Sequence, residues 1–98
     1  MKLKQLLTAI EYRAEQVPDV DITDLVYDSR KAVPGCAFVC LRGANADGHK
    51  YAKTAAEKGA AVIIAEEPVE APVPVILTEN TRLALAYLSA EFFGHPAE

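Results

Sequence analysis

The chain has 98 residues, 51% of them hydrophobic and 24% charged, with a formal net charge of −4. That length supports one domain with a single modest core, and the composition is globular rather than disordered or fibrous. The excess of acid argues against a nucleic-acid partner or an anionic membrane surface, which reward clustered Lys and Arg, and no apolar run approaches the roughly 20 residues of a membrane helix.

Leu3, Leu6, Leu7 and Ile10 recur at helical spacing, which predicts an amphipathic helix over residues 2–14. The lysines ahead of them do not make a secretory leader, because charge returns at Glu11 and Arg13 and no small-residue cleavage site follows. The compartment expected is the cytoplasm. Pro18 breaks the helical pattern, and residues 22–27 predict a short strand ending at the polar corner Asp28-Ser29-Arg30. Pro34-Gly35 fits the two central positions of a type II turn, with glycine supplying the positive φ.

Residues 36–41 are six consecutive apolar residues and the clearest strand, of a kind buried on both faces under helices. Cys36 and Cys40 lie in it. In an extended chain their Cα atoms are about 13 Å apart, beyond disulfide reach, so they read as reduced, buried, small hydrophobes. No further ligands at metal-site spacing accompany them.

Residues 42–48 form a polar loop. Tyr51, Ala52, Ala55 and Ala56, stopped by Gly59, predict a short helix. Residues 60–65, "AAVIIA", predict another fully buried strand, and the acidic, proline-rich connection 66–74 belongs on the surface, away from any binding edge. Val75, Ile76 and Leu77 form a further strand. Asn80 is placed to cap a helix over 81–93, ended by Gly94 and Pro96. The order helix-strand-strand-helix-strand-strand-helix makes the class α/β, a mixed or parallel sheet of about four to five strands flanked by helices. Pro96, in the closing "FFGHPAE", reads either as part of a natural terminus or as a boundary peptide leading into a further domain.

No catalytic set emerges. Neither His49 nor His95 has a nucleophile or acid at a telling spacing, and Asp28 and Asp47 read as turn caps rather than as an acid/base pair. The phosphate-loop pattern G-x-x-x-x-G-K-[ST] and the dinucleotide pattern G-x-G-x-x-G are both absent. What remains is a binding arrangement. Loops at the carboxyl ends of buried parallel strands are the usual ligand crevice of open α/β sheets. The small residues Gly43-Ala44-Asn45-Ala46 allow backbone N–H groups to approach an anion, Ser29 offers a hydroxyl, and Arg30 and Arg42 offer charge. By composition alone, ordinary turn chemistry is the better account of the same residues.

The segment "DSRKAVPGCAFVCLRGANADGHKYAKTAAEKGAAVIIAE" resembles the N-terminal domain of the Mur ligase family, in which D-S-R, P-G, an apolar F-V strand, D-G-H, an Ala-rich helix and G-A follow one another. "TENTRLALAYLSAEFFGHPAE" is similar to the stretch before the ATP-binding domain in the branch that adds the third residue of the peptidoglycan stem peptide. The branch that adds D-alanyl-D-alanine shares D-S-R and D-G-H. Cys36, Ala37 and Cys40 depart from the usual acidic or aliphatic choices but keep the strand apolar.

The resemblance implies that residues 1–98 form a substrate-binding domain of a longer, three-domain ligase. It implies that Tyr27, Ser29, Ala44, Asn45 and Ala46 contact the UDP part of UDP-N-acetylmuramoyl-L-alanyl-D-glutamate. It implies an enzyme that phosphorylates the D-Glu carboxylate with ATP and Mg²⁺, so that the amine of meso-diaminopimelate or L-lysine attacks the acyl-phosphate. The ATP and Mg²⁺ sites would lie in the central ATPase domain and amino-acid selection in the C-terminal domain, leaving no catalytic residue, metal or cofactor here. A stand-alone nucleotide-sugar module and a structural domain without a ligand remain alternatives.

Overall fold

The computed structural model describes residues 1–42 and 47–94. Four short strands, β1 (Leu25–Val26), β2 (Ala37–Val39), β3 (Val62–Ala65) and β4 (Val75–Leu77), make one sheet in the order β1-β2-β3-β4. All three pairings are parallel, with Val26 beside Phe38, Phe38 beside Ile63 and Ile63 beside Val75. The sheet is therefore parallel rather than mixed, apart from one antiparallel residue: Arg13 exchanges two 2.8 Å backbone hydrogen bonds with Leu77 at the outer edge of β4.

The continuous apolar runs of β2 and β3 follow from burial on both faces. Alternate residues divide between two cores. Leu25, Ala37, Val39, Val62, Ile64 and Ile76 face α1 (Leu3–Leu6) and α3 (Thr81–Phe93), meeting Leu3, Leu6, Ala84 and Leu88. Val26, Phe38, Ile63 and Ala65 face α2 (Ala52–Glu57), meeting Ala52 and Ala55. Phe38 is 1% exposed in the middle of the second core. Truncating such a side chain costs about 3–5 kcal/mol.

Three predicted elements are shorter than their sequence patterns. The first helix stops after α1 and a 3₁₀ turn at Leu7–Ala9, and Ile10 is already extended. Leu3, Leu6 and Leu7 do form its buried stripe, but the pairing of Arg13 with Leu77 holds the chain extended where the pattern continued the helix. β1 covers only the last part of 22–27, because Ile22 and Thr23 give their N–H groups to Met1 and Gly35 instead of a neighbouring strand. β2 covers 37–39 of 36–41, although residues 36–40 are all buried. The other bounds need little change, and β4 and α3 span the residues expected.

The turn before β2 takes the predicted form. Cys36 donates its N–H to the Val33 carbonyl at 3.1 Å, and Gly35 has φ +83°. A Cβ there would sit 2.9 Å from Thr23 Cγ2, so both conformation and space require glycine. Because all four strands run the same way, their carboxyl ends, and the side chains that follow them, gather along one edge.

Candidate functional site

Two polar structures occupy that carboxyl edge. The first is the corner after β1. Asp28 Oδ1 accepts the Arg30 N–H at 2.9 Å, capping a 3₁₀ turn at Ser29–Lys31. The same carboxylate holds the Arg30 guanidinium with Nε–Oδ1 at 3.1 Å and Nη2–Oδ2 at 2.8 Å. These bonds to the Arg30 side chain, then to its amide, hold the Asp28 carboxyl down at about 2. Tyr27 is 59% exposed beside it. Ser29 is half-buried, its carbonyl accepts from Lys58 Nζ at 3.1 Å, and among the described residues its hydroxyl makes no hydrogen bond. The two sequence candidates described in the structure therefore stand together at the exit of β1, with polar groups to spare.

The second structure begins where β2 ends. The chain leaves at Arg42 and returns at Asp47, and these two residues form an antiparallel bridge. Gly48 donates its N–H to the Leu41 carbonyl at 2.7 Å. A Cβ on Gly48 would lie 2.7 Å from the Leu41 nitrogen, so glycine is what allows this backbone approach. Asp47 Oδ1 caps the 3₁₀ turn Gly48–Tyr51 through the His49 N–H at 3.0 Å and also meets His49 Nδ1 at 2.7 Å. These contacts, led by the His49 amide, lower the Asp47 carboxyl below its ordinary value.

From His49 the network crosses the edge. Its Nε2 accepts the Glu66 N–H at 2.9 Å, just beyond β3. The Glu66 carboxylate in turn accepts from the Thr81 N–H at 2.9 Å and the Thr81 hydroxyl at 3.1 Å, at the start of α3. Arg42 reaches Asp47 at 3.7 Å, Glu66 at 3.8 Å and the Glu67 carboxylate by a direct hydrogen bond. Arg82 donates to the Arg42 carbonyl at 3.1 Å.

This arrangement changes several sequence expectations. Asp28 and Asp47 are caps, as expected. Arg30 and Arg42 are engaged by carboxylates, so neither presents unpartnered charge to an anion. Glu66, expected away from the edge with the rest of 66–74, lies on it. Ala44, Asn45 and Ala46 lie outside the described residues, though both ends of their segment, Arg42 and Asp47, are anchored. His49 and Glu66 were missed as edge residues. The D-G-H run signals the cap at Asp47, but no local pattern points from His49 to a partner 17 positions away.

A cleft of about 770 Å³ lies elsewhere, beside β4, between residues 13–16 and the connection holding Val69, Pro72 and Val73. Its wall is mostly apolar and it lacks the convergent polar groups of a specific ligand site. Cys36 and Cys40 are free and buried, and burial pushes the Cys40 thiol up to about 12. That makes it an unreactive core residue. Among the described residues, no group of three His, Cys, Asp or Glu side chains could hold a metal, and no helix is long and apolar enough to cross a membrane.

Residues 21–93 match the family model described as Mur ligase family, catalytic domain. Over 102 aligned residues the chain is 48% identical to the UDP-N-acetylmuramoyl-L-alanyl-D-glutamate–2,6-diaminopimelate ligase of Bacillus licheniformis, covering 100% of this chain and 20% of that protein. It is 42% identical to the UDP-N-acetylmuramyl-tripeptide synthetase of a Roseiflexus species, covering 98% of this chain and 20% of that protein. Among solved structures, MurF from Acinetobacter baumannii superposes with a TM-score of 0.83 at 33% identity, over 91% of this chain and 20% of that one. The chain thus spans about a fifth of the length of the curated relatives it matches.

Proposed function

The chain belongs to the Mur ligase family and has the α/β fold of that family's N-terminal domain, and from this premise we propose that it holds the UDP part of a UDP-N-acetylmuramoyl-peptide substrate. In this reading residues 1–98 are one domain of a longer, three-domain, cytoplasmic ligase that adds the third stem-peptide residue to UDP-N-acetylmuramoyl-L-alanyl-D-glutamate. The observation that carries it is the exit of β1, where Tyr27 is exposed and the Ser29 hydroxyl has no hydrogen bond among the described residues, one strand away from Arg42 and Asp47, which flank Ala44, Asn45 and Ala46 in the sequence. Tyr27 and Ser29 supply side chains, and the small residues let backbone donors reach a pyrophosphate. Each charge-assisted bond of that kind contributes about 1.5–3 kcal/mol.

Mg²⁺ and ATP do not fit the residues in hand. The phosphate-loop pattern is absent from the sequence, and the described carboxylates are not grouped as a metal site. ATP and Mg²⁺ are assigned to the central ATPase domain of the longer chain, and the choice of amine to its C-terminal domain. Substrate binding here orients the distant D-Glu carboxylate, since binding energy far from the reacting atoms can be used to position them.

A second reading, the D-alanyl-D-alanine-adding ligase, is favoured by the superposition on MurF. The higher identity to the diaminopimelate ligase favours the first. Turnover of the full-length protein with each amine separates the two.

Calorimetric titration tests the shared part of both readings. The 98-residue chain should bind UDP with a Kd in roughly the high-micromolar to millimolar range, because no other domain holds the rest of the substrate. UMP should bind more weakly, lacking the second phosphate. Equal affinity for UDP and UMP, or no UDP binding at millimolar concentration, overturns the reading.

A further inference from the structure

Resting on the reading above, we propose that His49 is a positioning residue for nucleotide binding: its imidazole fixes the return of the chain at Asp47 against the exit of β3, and so holds the edge that UDP meets. The geometry determines the tautomer. Nε2 accepts the Glu66 N–H at 2.9 Å and so carries no proton, which leaves the ring proton on Nδ1, donated to Asp47 Oδ1 at 2.7 Å. The side chain is 3% exposed, and both ring nitrogens are used.

The network it joins lies beyond the ends of the strands. Gly48 meets Leu41 after β2, Glu66 follows β3, and Thr81 opens α3 after β4. Removing the imidazole therefore leaves the strand ladder and both apolar cores in place. What it releases is the position of one strand exit relative to the next. A ligand gripped from neighbouring exits is sensitive to that, because binding groups need support to within about 0.5 Å of the productive geometry. The His49 ring also supplies the only acceptor for the Glu66 N–H among the described residues, so its loss leaves an unsatisfied donor at the half-buried exit of β3.

The test uses His49→Ala, His49→Gln and His49→Asn. The glutamine carbonyl can stand near Nε2 and accept from Glu66, whereas asparagine can restore only the donor near Nδ1. Nitrogen-15 spectra of the wild-type imidazole should show a protonated Nδ1 and a bare Nε2; the opposite tautomer overturns the inference. His49→Ala should keep the core amides of Phe38 and Ile63 in place and bind UDP about tenfold more weakly. His49→Gln should recover most of the affinity, to within about threefold of wild type, and His49→Asn should not. A folded His49→Ala that binds UDP as wild type does removes the role. If His49→Ala does not fold, the other two variants decide, and glutamine binding no better than asparagine is the contrary result. Failure of the wild-type chain to bind UDP removes the functional reading itself, whereas a normal His49→Ala removes only the part given to His49.

Discussion

The corner after β1 and the network after β2 start from the same device, an aspartate that caps a 3₁₀ turn through the amide two residues on. They then diverge. Asp28 spends its remaining capacity on Arg30, within the same turn, and leaves Tyr27 exposed and the Ser29 hydroxyl without a hydrogen bond among the described residues. Asp47 hands on to His49, which reaches 17 positions away, while Arg42 reaches 25 positions to Glu67 and Arg82 reaches 40 back to Arg42. One local motif thus yields a self-contained corner with side chains exposed beside it, and the other yields a committed frame that ties two strand exits and a helix start. Under the proposed function, recognition and support are divided between neighbouring exits of one sheet.

The sharpest way to break that comparison is at Gly48. A methyl there meets the Leu41 backbone nitrogen at 2.7 Å and carbonyl oxygen at 3.0 Å, neither of which can rotate away. Gly48→Ala should destabilise the chain by about 1–3 kcal/mol, the scale of core overpacking. An unchanged melting temperature would mean that the approach is not tight. In the corner, Ser29→Ala should shift stability by no more than about 0.5 kcal/mol. It should nevertheless weaken UDP by about 1 kcal/mol, the scale of one lost hydrogen bond. Loss of fold in Ser29→Ala would place the serine in the frame rather than in the recognition surface.

Acid gives the smallest effect. The folded pKa of Asp28 lies below its usual 3.8, at about 2, chiefly through Arg30. A carboxyl shifted that way adds stability above its unfolded value and loses it as pH falls through the folded one. The contribution is therefore complete near neutrality and fades between about 4 and about 2. Asp47 is shifted in the same direction and adds to the loss at low pH. The group lies at the surface, half-buried and bonded to an exposed arginine, so solvent screens the pair and the change in stability should be slight, but the Arg30 amide should report a midpoint near 2. A midpoint near 4 would show that the Asp28–Arg30 pair does not persist in solution.

Sequence patterns read well where the deciding contacts are local. Asn80 caps α3 through Leu83 three residues on, and Pro34-Gly35 closes its own turn, so both were legible. The two buried strands could be read from composition alone, since covering both faces removes the need for alternation. The predicted first helix is too long because Arg13 is claimed by Leu77, a residue in the last strand of the sheet and far away in sequence. For the same reason, Glu66 was placed with its proline-rich neighbours instead of with His49 and Thr81. Ser29 is visible in the polar corner Asp28-Ser29-Arg30, but the assignment of Tyr27 and Ser29 to UDP comes from family resemblance, because nothing in a hydroxyl and a phenol names a nucleotide.

The most direct measurement is an amide chemical-shift titration of the chain with UDP. If the carboxyl edge is the nucleotide site, the largest and saturable shifts fall at residues 27–30 and 42–49, with smaller ones relayed to Glu66 and Thr81, while residues 13–16 and 68–74 stay still. Shifts confined to 13–16 and 68–74, around the apolar cleft beside β4, would place the nucleotide at the wrong edge for this account and contradict it.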